Sequence, residues 1–314
     1  GAQVCLWDTR TGKMTETLVG RREYVVTALA FSHDGRLLAA GLQHKRAYCV
    51  QVWEVRTGRL LHTLNELTYP QIYSWFYPTS VAFSPDDSLL ATGGFDTTVR
   101  LWRVKTGELM REIGGLETRG VTVCFSPDGR LLAGACSKGV ARDAAAPRRI
   151  RIWDIATGGV RIAIESMSSD WDLAFTPDQR QLLVAGSDGI RSYACATGEL
   201  LADNFLRTEF GQTHLIALSP DGAELICSNG SQLYVCDPAT LRPRRDSPAN
   251  VNALALSPAG ELIAYTAADG FVHLRELATD RIRATLAMIT PEPKIIDGVL
   301  RTPEFTNTLP LWLS

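Results

Sequence analysis

The chain has 314 residues, 45% of them apolar and 21% charged, with a formal net charge of -2; this balance fits a globular protein and argues against a general binder of nucleic acid, which would need a local basic patch. No apolar stretch approaches the ~20 residues of a membrane span, and no signal-peptide pattern is visible. The seven cysteines include no C-x-x-C pair, which removes zinc-ribbon chemistry and points to buried thiols in a reducing, cytoplasmic setting; a cross-strand disulfide such as Cys124 with Cys136 stays open.

In chain order, residues 1–18 read as a strand ending Leu6-Trp7-Asp8, a turn at Thr11-Gly12 and a further strand from Lys13 to Leu18. The next unit runs from Phe31 to Gly58 with a turn at Ser32-His33-Asp34-Gly35, and another from Phe83 to Gly107 with Ser84-Pro85-Asp86-Asp87. Cys124 to Gly158 is the clearest copy. It holds the turn Ser126-Pro127-Asp128-Gly129, a second apolar run, a polar insertion, a run ending Trp153-Asp154, and Thr157-Gly158. Pro presets φ in that turn, Asp bonds to the local backbone, and Gly accepts positive φ, so it reads as a hairpin. Looser copies follow, with turns at Thr176-Pro177-Asp178-Gln179, Ser219-Pro220-Asp221-Gly222 and Ser257-Pro258-Ala259-Gly260. Aligned on the third strand, one position is filled by Trp7, Trp53, Trp102, Trp153, Tyr193, Cys236 and Arg275, giving a period of about 39 to about 51 residues. A unit this small cannot hold its own core, so the copies are expected to stack into one domain over residues 1–314.

The segments VRLWRVKTG (Val99 to Gly107), RIRIWDIATG (Arg149 to Gly158) and VCLWDTRTG (Val4 to Gly12) resemble the WD-repeat β-propeller family, and the resemblance covers nearly the whole chain. It implies an all-β fold of four-stranded antiparallel blades set radially around a channel, and no particular reaction. The nearly continuous apolar runs Val26 to Phe31 and Leu131 to Ala135 suit sheets covered on both faces. The third strands alternate better, Val99 and Leu101 against Arg100 and Trp102, which places them nearer the rim. The family's Gly-His before the first strand is missing; Gly20-Arg21 and Gly114-Gly115 stand there, and no histidine carries over. Asp96, Asp188 and Asp269 sit where the family's turn Asp would be and are expected to cap tight turns. The blades with Cys236 and Arg275 depart furthest from the family pattern.

Nothing in the residues marks catalysis. His33, His44, His62, His214 and His273 are scattered, so no metal set is expected, and the nucleophile-elbow and phosphate-loop motifs are absent, so neither cofactor nor catalytic residue is assigned. A propeller hydrolase or lyase with carboxylates meeting in the channel stands as the alternative.

Function is expected in the insertions. Asn65 to Thr79 carries Tyr69, Tyr73, Trp75, Phe76 and Tyr77; Ser137 to Arg149 carries Lys138, Arg142, Arg148 and Arg149; Gln43 to Tyr48 carries Lys45 and Arg46. By the parity of an up-and-down sheet all three emerge on one face, joined by Arg21 and Arg22 from the preceding connection. Aromatics and Arg are the residues enriched at interface hot spots. The partner expected is a protein or peptide, acidic or phosphorylated, or another domain of the same polypeptide; nucleic acid and membrane are not. The plainer readings are an aromatic plug over the channel and a solvated surface excursion at Ala144 to Pro147.

The chain begins in mid-repeat. Residues 296–305 line up with Val26 to Gly35, Leu309 to Leu313 can form a second strand, and the distance from Arg275 through the chain end to Trp7 is about 46 residues, one period. Seven blades are expected, six continuous and one shared between the termini. The alternative is six full blades plus a partial one, with 287–314 as an irregular tail. Removing the last 20 residues should lower the melting temperature sharply; an unchanged melting curve would rule out closure by this segment.

Overall fold

The computed structural model describes residues 3–20, 23–44, 47–68, 78–94, 96–114, 116, 121–136, 148–166, 170–186, 189–204, 215–229, 231–248, 251, 253–267, 269–287, 294–296 and 299–301. A two-stranded sheet, β1 (Gln3–Asp8) with β2 (Lys13–Val19), is followed by six four-stranded antiparallel sheets. The first comprises β3 (Val25–Phe31), β4 (Leu37–His44), β5 (Ala47–Glu54) and β6 (Arg59–Thr68), and the second β7 (Pro78–Phe83), β8 (Leu89–Gly94), β9 (Val99–Arg103) and β10 (Leu109–Ile113). The third comprises β11 (Val121–Phe125), β12 (Leu131–Cys136), β13 (Arg148–Asp154) and β14 (Val160–Ser166), and the fourth β15 (Asp170–Phe175), β16 (Gln181–Gly186), β17 (Gly189–Ala194) and β18 (Leu200–Asn204). The fifth holds β19 (Leu215–Leu218), β20 (Leu225–Ser228), β21 (Gln232–Cys236) and β22 (Pro243–Pro248), and the sixth β23 (Ala253–Leu256), β24 (Leu262–Thr266), β25 (Phe271–Glu276) and β26 (Ile282–Ala287). Every four-stranded sheet pairs its strands in chain order. This is the blade of a β-propeller.

The first turn of each unit is built by its serine. Ser126 Oγ accepts the Leu131 N–H at 2.9 Å and donates to Asp128 at 2.7 Å, while Asp128 accepts the Arg130 N–H at 3.0 Å. The same three bonds recur at Ser32, Ser84, Thr176 and Ser219. The fourth residue of the turn has φ near +70° at Gly35, Gly129, Gly222 and Gly260, a conformation that costs glycine little. Where the glycine is missing, the side chain reaches the preceding sheet. Asp87 accepts the His33 and Asp34 N–H groups at 2.7 and 3.0 Å, which is open to it because His33 stands where most copies carry Pro, a residue with no N–H.

Neighbouring sheets pack face to face. Ala91, Val99 and Leu101 of the second sheet meet Val121, Val123, Leu132 and Trp153 of the third, and similar clusters join the third to the fourth and the fourth to the fifth. The approach is close: a Cβ built on Gly93 would lie 2.3 Å from the Val121 carbonyl oxygen. Trp153 lies over Gly134, where the second sheet has Thr92. Trp102 Nε1 donates to Thr92 Oγ1 at 3.1 Å, whereas the indole N–H of Trp153, buried over the glycine, has no partner among the described residues.

Two expectations are corrected. The third strands are not the half-exposed ones: Val99, Arg100, Leu101 and Trp102 are all buried, and the alternation belongs to the fourth strand, as in β14. A third strand lies inside its own sheet and under its neighbours, and the Arg buried there in β9 is ion-paired. Residues 296–301 do not form one strand either. β27 (Lys294–Ile296) pairs with β28 (Val299–Arg301) in a separate two-stranded sheet. The two residues between Ile296 and Val299 are Asp-Gly, a strong hairpin dipeptide. Leu309 to Leu313 lies outside the described residues.

The β1–β2 unit sits between the sixth and first four-stranded sheets. Val4, Leu6 and Leu18 pack with Leu38, Leu42 and Trp53, while Trp7 packs with Leu262, Leu274 and Leu286. Its turn at Gly12 (φ +66°) repeats the turn between third and fourth strands, also seen at Gly58, Gly107, Gly158 and Gly198, with Leu241 and Asp280 in the last two sheets.

Polar contacts also cross between first strands. Ser80 and Asp172 hold the same register position. Ser80 Oγ accepts the Val123 N–H at 3.2 Å, and Asp172 accepts the Ile216 N–H at 3.0 Å and its neighbour Leu173 N–H at 2.9 Å. Burial outweighs these bonds and pushes the Asp172 carboxyl up to about 6.

Gly93→Ala should destabilise the fold by about 1–3 kcal/mol, because a backbone carbonyl has to move, as thermal or denaturant unfolding would show. Asp172 binds its proton more tightly folded than unfolded, so its contribution to stability is present below about pH 4 and lost as pH rises through about 6. Relative to the wild type, Asp172→Asn should therefore gain in melting temperature between pH 4 and pH 7, and a pH-independent difference would contradict the burial of this carboxylate.

Candidate functional site

The second and fourth strands of an up-and-down sheet run the same way, so the ends of β2, β4, β6 and β12 lie on one face of the ring. These ends flank the insertions. Arg21, Arg22, Lys45, Arg46, Tyr69, Tyr73, Trp75, Phe76, Tyr77, Lys138 and Arg142 lie outside the described residues, as does Asp188. Arg148 and Arg149 need a correction. They are not loop residues but open β13, pairing with Ser166 and Glu165 of β14. The strand extends because Arg can alternate with Ile150 and Ile152 at the end of a fourth-strand pairing without breaking the ladder.

The described groups on this face form a network that composition alone does not reveal. Arg100 on β9 reaches Asp96 at 2.7 Å and Glu112 on β10 at 2.8 Å, and Tyr48 of the first sheet donates to Asp96 at 3.3 Å. The Arg100 and Asp96 side chains are only 10% and 11% exposed. Burial works against the guanidinium charge, yet Asp96 and then Glu112 outweigh it and hold its pKa above the ordinary value. With both carboxylates engaged, Arg100 is a tie between strands and sheets and not a receptor for an incoming anion. The signal in the sequence was the Asp96 to Arg100 spacing, which a strand preceded by a tight turn converts into a contact. Asp96 also accepts the Thr98 N–H at 3.3 Å, and Asp269 accepts the Phe271 N–H at 3.0 Å.

Two histidines are held on the same face. His273 lies 2.9 Å from Asp269 and 3.2 Å from Thr285, with its ring against Tyr265. His44 lies 3.2 Å from Glu23 and packs on Tyr24, next in sequence to Lys45 and Arg46. Glu23 has φ +68°, a conformation that a non-glycine residue adopts only under constraint.

The opposite face carries the serine turns. Their carboxylates are held below the ordinary range, at Asp34, Asp86, Asp178 and Asp221 chiefly by the adjacent hydroxyl. A cleft of about 680 Å³ opens there between the fifth and sixth sheets, lined by Asp221, Glu224, Arg244, Glu261 and Arg283. Its charges are largely committed, Glu224 to Arg245 and Arg244 to Asp237. Among the described residues no three His, Cys, Asp or Glu side chains are grouped to hold a metal, and no helix is long and apolar enough to cross a membrane.

Comparison with known proteins agrees with this geometry. The family described as "WD domain, G-beta repeat" matches residues 12–53 and 72–103. The chain is similar to the transcriptional corepressor LEUNIG_HOMOLOG of Arabidopsis thaliana, with 28% identity over 204 residues, 65% of this chain but only 23% of that protein. It is also similar to eukaryotic translation initiation factor 3 subunit I of Aspergillus fumigatus, with 30% identity over 265 residues and 74% of each chain covered. Among solved structures, hydrazine synthase of Kuenenia stuttgartiensis superposes with a TM-score of 0.74 over 89% of this chain and 91% of that one, at 18% identity, a likeness of fold alone. The repeat, the four-stranded sheets and these matches together establish that the chain belongs to the WD-repeat β-propeller family.

Proposed function

We propose that this propeller is a non-catalytic scaffold or adaptor that binds a protein or peptide through the face carrying the insertions. The observation that carries the reading is strand polarity: β4 and β6 of the first four-stranded sheet and β12 of the third all end on that face, where the sequence adds aromatic and basic residues to an otherwise regular repeat. Aromatic rings and planar guanidinium groups suit an acidic or phosphorylated peptide, or another domain of the same polypeptide. The names of the similar proteins, a corepressor and a subunit of an initiation factor, support a place in protein assemblies. A cytoplasmic setting is part of the proposal, and free thiols at Cys195, Cys227 and Cys236 suit it.

The proposal extends to ring closure. β1 and β2 serve as the third and fourth strands of a seventh blade, with the C-terminal segment from Lys294 supplying the first two. Their seat between the sixth and first sheets, and the repeat of the outer turn at Gly12, support it. Closure by another strand pair would leave the interaction face unchanged.

Replacing Lys138, Arg142 and Trp75 together by Ala should remove the principal partners recovered by affinity purification while leaving the melting temperature within a few degrees. Recovery of every partner by the folded triple variant would rule out this face as the site.

A further inference from the structure

One register position can be compared across the six sheets. The third strand carries Trp53, Trp102, Trp153, Tyr193, Cys236 and Arg275, and the second strand sets Ala40, Thr92, Gly134, Val184, Cys227 and Tyr265 diagonally across from them. In the second sheet this diagonal is the Trp102 to Thr92 hydrogen bond. In the third it is the Trp153 ring over Gly134. In the fifth sheet the large ring is gone, and two cysteines meet with their Sγ atoms 3.1 Å apart. Both are fully buried, and neither is in a disulfide.

Around them lie Leu183, Ala185, Ile190, Ile216, Leu225 and Leu241. Such an apolar shell keeps a glutathione-sized reagent out and admits a molecule near the size of water. The neighbouring thiol, and burial after it, raise the Cys227 pKa well above the ordinary range, so the resting state is the protonated dithiol and reaction is slow until the sheet opens locally.

We propose that Cys227 and Cys236 are a redox modification site, a vicinal pair in space that a small hydroperoxide converts to a disulfide joining β20 to β21. One thiol loses its proton and its sulfur attacks the O–O bond of hydrogen peroxide, forming a sulfenic acid and releasing water. The second sulfur attacks that sulfenic sulfur, the S–S bond forms, and a second water leaves. Two thiols are oxidised and one peroxide is reduced to two waters. The covalent link occupies the diagonal that the Trp102 to Thr92 bond spans in the second sheet, and so fixes the second and third strands of a blade that lacks that ring. A dithiol reductant reverses it by exchange.

The folded full chain is exposed to hydrogen peroxide, quenched, denatured, alkylated and digested with trypsin. The fragment from Thr208 to Arg244 contains both cysteines and no other. It should become lighter by two hydrogens and refuse alkylation, with two of the seven thiols lost and regained on reduction. Cys236→Ala should carry Cys227 as the thiol or the sulfenic acid after the same treatment, in either case with no loss of two hydrogens from the fragment. Recovery of the wild-type fragment with both thiols alkylated overturns the proposal, as does oxidation that ends in a sulfinic or sulfonic acid on one cysteine or in a bridge to a third.

Discussion

The fold depends on contact between the faces of successive sheets. Each sheet has only four strands, too few to bury either face alone, and the apolar side chains of one become core only when the next is seated against it. Small residues set the distance. Gly93 lets β8 approach the Val121 carbonyl, and Gly134 accepts the ring of Trp153. The serine turns then fix where each strand pair begins, so that the same residues face the same neighbours in every unit.

Much of this was legible in the sequence because a repeat reports on itself. The Ser-Pro-Asp-Gly turns and the Trp position, recurring at a period of about 39 to about 51 residues, carry the strand order, the turn and the seven occurrences of one position. What was not legible had a common cause. Burial of a charge is a pairwise property, so Arg100 read as an outward-facing residue until Asp96 and Glu112 were placed beside it. Arg148 and Arg149 read as loop for the same reason: composition assigned them to the insertion, whereas their pairing with β14 decides that they are strand. The Asp-Gly dipeptide at 297–298 marks a turn that the alignment of residues 296–305 with Val26 to Gly35 conceals. The residues of the insertions were legible only as a class, aromatic and basic, since no repeat constrains them.

The two faces of the ring use charge differently. On the serine-turn side the carboxylates are spent on backbone N–H groups and hydroxyls. That makes them part of the scaffold. On the other side the described charges are tied in networks such as Arg100 with Asp96 and Glu112, and His273 with Asp269. These networks hold the strand ends from which the insertions leave. Under the proposed function, insertions carried on a rim of fixed hydrogen bonds can present partner-binding residues without altering the core.

The seat of β1 and β2 has a consequence for how the ring is assembled. Trp7 is made long before the side chains that cover it, Leu262, Leu274 and Leu286. A chain emerging from the ribosome therefore carries an apolar, half-covered pair of strands through the synthesis of five more sheets. Leu18 finds Leu38 and Trp53 early, but the other face of the pair waits for contacts more than 250 residues downstream. Docking of the sixth sheet onto β1 and β2 is then a long loop closure whose entropy is repaid only when the two meet.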